Sequence, residues 1–123
     1  MTLLDTSILI DFLVDEGESE RIGRLLGDRE AAISAISVFE LLAGVRLEKH
    51  RIERKELIEL TLVLPVTSPI TERAAELFGV LRTKGTTVDN EDLLIAATAL
   101  DSGIPVLTRN NSHFRHIPEL ELV

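Results

Sequence analysis

The feature that most constrains this chain is its N-terminal stretch, residues 1–13, in which a short apolar strand ends at a carboxylate, Asp5. Thr6 and Ser7 follow, two residues that often begin helices, and they lead into a segment that is apolar on almost every side. A strand this short that feeds a buried helix belongs in the middle of a sheet. We therefore predict a central parallel strand with Asp5 at its carboxyl end, the edge where open α/β sheets bind ligands.

The rest of the chain alternates between predicted strands and helices, a pattern typical of a parallel sheet covered by helices on both faces. After the N-terminal strand at residues 1–4, strands are predicted at 31–35, 62–66, 105–108 and 120–123. After a break at 15–17, helices are predicted at 18–27, 37–45, 46–59, 68–84 and 89–100, with a single turn at 112–114. We predict one domain over residues 1–123, a three-layer α/β/α sandwich with a mostly parallel sheet of about five strands.

Composition limits the possible functions. The chain has 21 acidic residues against 13 Lys and Arg, a formal net charge of −8, and no cysteine, so disulfides and thiolate metal sites are excluded. The acidic balance argues against a generally basic nucleic-acid-binding surface, but equally suggests clustered carboxylates that need a cation. Hydrophobic residues make up 45% of the chain, from which we expect a homodimer. With no membrane span or signal peptide in the pattern, we expect a cytoplasmic protein without a membrane partner.

Three acids occupy the same type of position in the predicted fold. Asp5 ends the first strand, while Glu40 and Asp92 lie in the predicted first turns of helices that can face the same edge. Thr108 and Asn110 follow the fourth strand, the expected neighbour of the first. Converging carboxylates repel one another unless a divalent cation lies between them, and an all-oxygen ligand set favours Mg²⁺ or Mn²⁺.

Each acid also has a purely structural interpretation. Ser37 and Glu40 have the spacing of a capping box, and Asp89 with Asp92 forms a weaker version of it. Asp5 has the alternative role of capping the helix that follows it. The shared location of the three acids, rather than any one of them, carries the functional interpretation.

Four short motifs, taken together, resemble the PIN domain, and in particular the VapC-type toxins of VapBC toxin–antitoxin pairs. They occur in the family's order and spacing across the whole chain. The motifs are Leu4-Asp5-Thr6-Ser7, Ser37-x-x-Glu40-Leu41, Asp92-Leu93-x-Ile95-Ala96-Ala97 and Thr108-Arg109-Asn110-x-x-His113-Phe114.

The resemblance implies a metal-dependent endoribonuclease that hydrolyses RNA with Mg²⁺ or Mn²⁺ and leaves 5′-phosphate and 3′-hydroxyl ends. It assigns Asp5, Glu40 and Asp92 as metal ligands, with Thr6 and Thr108 as supporting hydroxyls. Many members have a fourth acid where this chain has Asn110, an amide that can orient water but supplies no charge. The resemblance also implies a VapB-type antitoxin that presents a basic side chain to the acidic site.

RNA must meet a locally basic surface on so acidic a chain. Basic residues on the helix after Glu40, on the later helix that ends near residue 84, and near the site are the candidates: Arg46, Lys49, Arg51, Arg54, Lys55, Arg82, Lys84, Arg109 and Arg115. The alternative for residues 46–55 is a solvated helix face, because glutamates are interspersed there. At the level of function, a non-catalytic PIN-like module that binds RNA or a partner stays open, and a receiver domain is a more distant alternative because Asp5-Thr6-Ser7 lacks an acidic pair.

Overall fold

The computed structural model describes residues 1–14 and 19–123, so the predicted break at 15–17 and the first residue of the predicted helix 18–27 lie outside the described part. The described strands, in chain order, are β1 (Thr2–Leu4), β2 (Ala31–Ser34), β3 (Leu62–Leu64) and β4 (Val106–Leu107). The helices are α1 (Thr6–Leu13), α2 (Ser19–Gly27), α3 (Ala35–Leu42), α4 (Glu48–Glu59), α5 (Ser68–Thr83), α6 (Asn90–Ser102) and α7 (Asn111–Phe114).

The sheet is parallel, and the N-terminal strand lies inside it as predicted. The strand order is β3-β2-β1-β4, and every pairing between neighbours is parallel. Successive strands run outward from β1 through β2 to β3, and the chain then returns to place β4 on the other side of β1. Asp5 therefore follows the strand at which the order of the sheet reverses, the position where α/β sheets form a binding crevice.

The predicted fifth strand is reduced to one contact. Leu122 forms an isolated parallel bridge with Val106, supported by hydrogen bonds from the Val106 N–H to the Glu121 carbonyl and from the Val123 N–H to the Val106 carbonyl. The described sheet thus has four strands, and the C-terminal segment extends it by a single bridge.

The two faces of the sheet bury separate cores, which confirms the three-layer architecture. Leu3 faces one core, built largely from α5 and α6, whereas Leu4 faces the other, built largely from α1 to α4. Both leucines are fully buried, as expected for consecutive residues of a strand covered on both sides. In residues 1–14 and 19–123, no helix combines the length and apolar character needed to cross a membrane.

Several helix boundaries differ from the predictions because the capping residues are different. Asp5, the alternative cap, rather than Thr6 or Ser7 is the N-cap of α1, whereas α5 begins at residue 68 as predicted, with Thr67 before it and a proline in its first turn. Ser34 caps α3, so β2 ends one residue early and α3 begins at Ala35. Gly103 ends α6 in the left-handed conformation, with φ of 66°, which glycine adopts without steric cost.

Candidate functional site

Asp5 is held by three hydrogen bonds at the carboxyl end of β1. Its Oδ1 accepts from the Thr6 backbone N–H at 2.8 Å, the capping bond of α1. Its Oδ2 accepts from the hydroxyls of Ser7 at 2.9 Å and Thr108 at 2.8 Å. The side chain is 2% exposed. The capping role is therefore real, but the second oxygen is also held by Thr108, 103 residues further along the chain, a contact that a cap alone does not require.

Glu40 is linked to the first motif through Thr6. The Thr6 hydroxyl donates to Oε1 of Glu40 at 2.7 Å and is also hydrogen-bonded to the Ser37 hydroxyl at 2.9 Å. The Ser34 hydroxyl accepts from the Ile36 N–H and caps α3. The predicted capping box of Ser37 and Glu40 is therefore wrong, as is the placement of Glu40 in the first turn: both residues lie within the helix. Because Ser34 rather than Glu40 satisfies the start of α3, the Glu40 carboxylate is available as a site residue.

Asp92 lies in the first turn of α6, as predicted, and is half-buried. Burial raises its pKa, and the negative charges of Asp5 and Asp89 raise it further. His113 opposes these effects, because its Nδ1 lies 3.0 Å from Oδ2 of Asp92 and favours the charged carboxylate. The charge of Asp5 is thus one of the causes that keep the pKa of Asp92 above its usual value.

Thr108 and Asn110 lie between β4 and α7 at the same edge. Besides donating to Asp5, the Thr108 hydroxyl accepts from the Asn110 backbone N–H at 2.9 Å. Thr108 is buried, and Asn110 precedes the first residue of α7. The loop is thereby fastened to the carboxylate of Asp5, which brings Asn110 to the edge where the sequence predicted it.

The basic residues proposed to contact RNA occupy different settings. Arg46 and Lys49 are exposed, Arg46 in the loop before α4 and Lys49 in its first turn. Arg115 is exposed, and its Nε donates to Nε2 of His116. Arg109 pairs with Asp11, with Nη1 of Arg109 and Oδ1 of Asp11 2.6 Å apart.

Arg54, also basic and on α4, has a structural role. Its Nη1 donates to the Leu41 carbonyl at 2.7 Å and so ties α4 to the end of α3.

Sequence reasoning missed three polar residues near the site. Asp11, to which the sequence assigns no role, is 8% exposed and paired with Arg109. Its spacing of four residues from Ser7 on α1, which places both on one helix face, was the available signal. His113 belongs to the fourth motif, in which it has no assigned contact, and its ring lies against Asp92. Ser37 was interpreted as a helix cap, but it is fully buried and bonded to Thr6.

The donor chemistry of the edge fits a hard divalent cation. Asp5, Glu40 and Asp92 offer carboxylate oxygens, the ligands that Mg²⁺ and Mn²⁺ prefer. Within the described ranges, no three His, Cys, Asp or Glu side chains form a ready-made ligand cluster. Instead, the hydroxyl of Thr6, the residue after Asp5, donates to Glu40, and the charges of Asp5 and Asp92 repel each other. A cation between them would relieve that repulsion.

The fold and the site together define a class of protein: a parallel α/β domain with acidic residues at the sheet edge where the strand order reverses. The family model described as PIN domain matches residues 2–120. The chain belongs to the PIN domain family. It is 33% identical over 123 residues to ribonuclease VapC19 of Mycobacterium tuberculosis, with 98% of each chain covered. It is 30% identical over 120 residues to ribonuclease VapC1 of Methanocaldococcus jannaschii, covering 98% of this chain and 83% of that protein.

Solved structures give the same result. The chain matches DNA-bound VapBC from Salmonella typhimurium with a TM-score of 0.89 and 27% identity, covering 99% of this chain and 96% of the other. It matches VapBC2 from Rickettsia felis, bound to a DNA fragment from their promoter, with a TM-score of 0.88 and 26% identity at the same coverage. The predicted family and fold class are thus confirmed.

Proposed function

We propose that this chain is a metal-dependent endoribonuclease, the toxin of a toxin–antitoxin pair, which hydrolyses RNA phosphodiester bonds with Mg²⁺ or Mn²⁺. The observation that carries the proposal is the hydrogen-bonded link between Asp5 and Glu40. The Thr6 backbone N–H donates to Asp5 and the Thr6 hydroxyl donates to Glu40, while Asp92 lies in the first turn of α6, where the charge of Asp5 contributes to its raised pKa. Membership of the PIN family and the similarity to proteins named ribonuclease VapC support the same assignment.

In this proposal Asp5, Glu40 and Asp92 hold the cation. When bound, a divalent ion supplies positive charge to the phosphodiester and lowers the pKa of water for in-line attack. Thr108 and Ser7 fix the direction of the Asp5 carboxylate, and Thr6 fixes one oxygen of Glu40. Asn110, an amide, orients the attacking water without adding a fourth negative charge.

We further propose a VapB-type antitoxin as partner, and the cytoplasm as the place of action. The structural neighbours include a toxin–antitoxin complex from Klebsiella pneumoniae and the VapBC complexes described above. Large apolar side chains on the surface, among them Phe39 and Leu62, are available for the antitoxin or for the predicted homodimer.

The test is cleavage by purified, antitoxin-free protein on structured and single-stranded RNAs, with Mg²⁺, with Mn²⁺, and with a chelator. We expect cutting in either metal, none in the chelator, and recovery when metal is restored. The products should carry 5′-phosphate and 3′-hydroxyl ends, because water rather than the ribose 2′-hydroxyl attacks. A parallel metal titration measures binding without RNA.

Three outcomes would contradict the proposal. Cleavage that persists in the chelator would show a metal-independent mechanism, and products with 2′,3′-cyclic phosphates would show attack by the ribose 2′-hydroxyl instead of water. Metal binding without cleavage of any RNA would favour the alternative, a PIN-like module that binds RNA or a partner without cutting it.

A further inference from the structure

A pocket of about 360 Å³ adjoins the acidic edge on the side of α1. It is lined by Ser7, Ile10, Asp11, Arg109 and Asn110. Ser7 belongs to both regions, since its hydroxyl donates to Oδ2 of Asp5 and accepts from the Arg109 backbone N–H. The pocket is therefore one side chain away from the proposed metal ligands.

The charges in the pocket are already balanced. Arg109 forms an ion pair with Asp11, whose side chain is largely buried while that of Arg109 is 57% exposed. The second oxygen of Asp11 is buried and has no hydrogen-bond partner within the described part of the chain. There, the Asp11 carboxylate therefore depends on Arg109 for its pairing. With this pair neutral and Asp5 next to it, the pocket offers no net positive charge. A phosphate group is consequently a poor occupant.

A flat, uncharged ring system fits the lining better. The guanidinium of Arg109 is planar and is fixed at one end by Asp11, and more than half of the Arg109 side chain is exposed. RNA bases stack on planar guanidinium groups of this kind. Ile10 adds an apolar contact, being 39% exposed although it lies on a helix that is otherwise largely buried. Ser7 and Asn110 bring a hydroxyl and an amide that can hydrogen-bond to the edge of a base.

We propose that this pocket takes one unpaired nucleobase of the RNA, at a nucleotide next to the scissile phosphodiester. The placement beside the scissile bond rests on the proposed function, whereas base binding itself does not. Arg109 supplies the stacking surface, and Asp11 is a positioning residue that holds the guanidinium in place. The amide oxygen of Asn110 is assigned to the attacking water, so its side-chain N–H group is the part that donates to the edge of the base. Arg109 thus contacts RNA through a base, rather than through a phosphate as a basic residue ordinarily would.

The test compares tetraribonucleotides with and without bases. Binding of r(AAAA), r(CCCC), r(UUUU) and r(AGAG) is measured in a chelator against an abasic ribose-phosphate backbone of the same length. Because the two kinds of chain carry equal charge, repulsion by the acidic edge weakens the binding of both alike. The ratio of their dissociation constants therefore measures the contribution of the bases. We expect the preferred sequence to bind about fivefold or more tightly than the abasic chain. Backbone amide shifts at Ser7, Ile10 and Asn110 should accompany binding, whereas inorganic phosphate should leave them unchanged.

Two variants locate the effect, each with a matched control. Ile10→Ser should reduce the preference for bases, while Val14→Ser, an equivalent change at an exposed position beyond the same helix, should retain it. Asp11→Leu with Arg109→Met removes the ion pair without leaving an unpaired charge and should abolish the preference. Glu20→Leu with Arg24→Met, which removes a surface ion pair on α2, should not.

The proposal is overturned if wild type binds base-bearing and abasic chains equally, if the amide shifts lie elsewhere, or if Ile10→Ser retains the full preference. Ile10→Ser keeps the test decisive should the double variant fail to fold. The outcome is separable from that of the nuclease assay: metal-dependent cleavage without base preference contradicts only the pocket, and base preference without cleavage contradicts only the nuclease.

Discussion

The hydroxyl of Thr6 connects two of the proposed metal ligands, so its removal gives a quantitative test of the site's architecture. Thr6→Val keeps the size and branching of the side chain but removes the bond to Glu40 at 2.7 Å and the bond to Ser37 at 2.9 Å. In this variant the Ser37 hydroxyl loses its Thr6 partner, and because Ser37 is fully buried, water does not replace that partner. Ser37→Ala removes that second hydroxyl.

The expected magnitudes follow from these contacts. A hydrogen bond to a charged group contributes about 1.5–3 kcal/mol, and a buried polar group left without a partner costs about 1–3 kcal/mol. Because Glu40 is partly exposed, we take the lower part of the range. Thr6→Val should lower the free energy of unfolding by about 2 kcal/mol and Ser37→Ala by about 1 kcal/mol. The double variant should lose about 2 rather than 3 kcal/mol, because no unpaired hydroxyl remains.

The assay is urea unfolding in a chelator at fixed protein concentration, since any self-association would make stability depend on concentration. A loss of about 2 kcal/mol shifts the midpoint by about 1 M urea. Thr6→Ser, which retains the hydroxyl, is the control and should lie closer to wild type. Additive losses in the double variant would refute the hydrogen-bonded link, as would equal losses for Thr6→Ser and Thr6→Val.

Three further predictions follow from the structure. Because the pKa of Asp92 is raised in the folded state, the protonated carboxyl stabilises the fold fully below the unfolded pKa, and this contribution is lost as pH rises through the folded pKa. Asp92→Asn should therefore stabilise the chelated protein at pH 7. A gain in stability that does not shrink on acidification would contradict this. An added Cβ meets no atom within 4 Å at either Gly103 or Gly79, so the two positions differ in backbone conformation alone. In urea unfolding, Gly103→Ala should cost about 1 kcal/mol because φ there is 66°, whereas Gly79→Ala within α5 should stabilise the protein. Arg46→Glu with Lys49→Glu should weaken RNA binding and reduce the salt slope by about 0.7 per lost phosphate contact, and an unchanged slope would place RNA on another surface.

The central strand and its carboxylate could be predicted because their signals are local. An apolar run that ends at Asp5 and feeds an apolar helix leaves few arrangements other than the middle of a parallel sheet. The neighbouring positions of β1 and β4 followed from the same topology, and with them the meeting of Thr108 and Asp5. These features depend on chain order and hydrophobic pattern, which the sequence displays directly.

The contacts that complete the site could not be predicted, because they depend on side-chain geometry between distant segments. Ser37 has the spacing of a cap, but Ser34, three residues earlier, takes that role and leaves Ser37 to bond with Thr6. The pairing of Asp11 with Arg109 spans 98 positions, and His113 contacts Asp92 across 21. The local pattern gives at most the helix face of Asp11, through its spacing from Ser7, and it does not identify the distant partner of any of these residues.

The most direct test of the proposed site is the RNA cleavage rate of Asp5→Asn at saturating Mg²⁺, beside wild type and Asp101→Asn, an exposed acid on α6. Asparagine caps helices about as well as aspartate, so α1 and the fold should persist, and circular dichroism checks this. We predict a loss of about 100-fold or more for Asp5→Asn and an unchanged rate for Asp101→Asn. A folded Asp5→Asn protein that cleaves at the wild-type rate would contradict the assignment of this edge as the metal site.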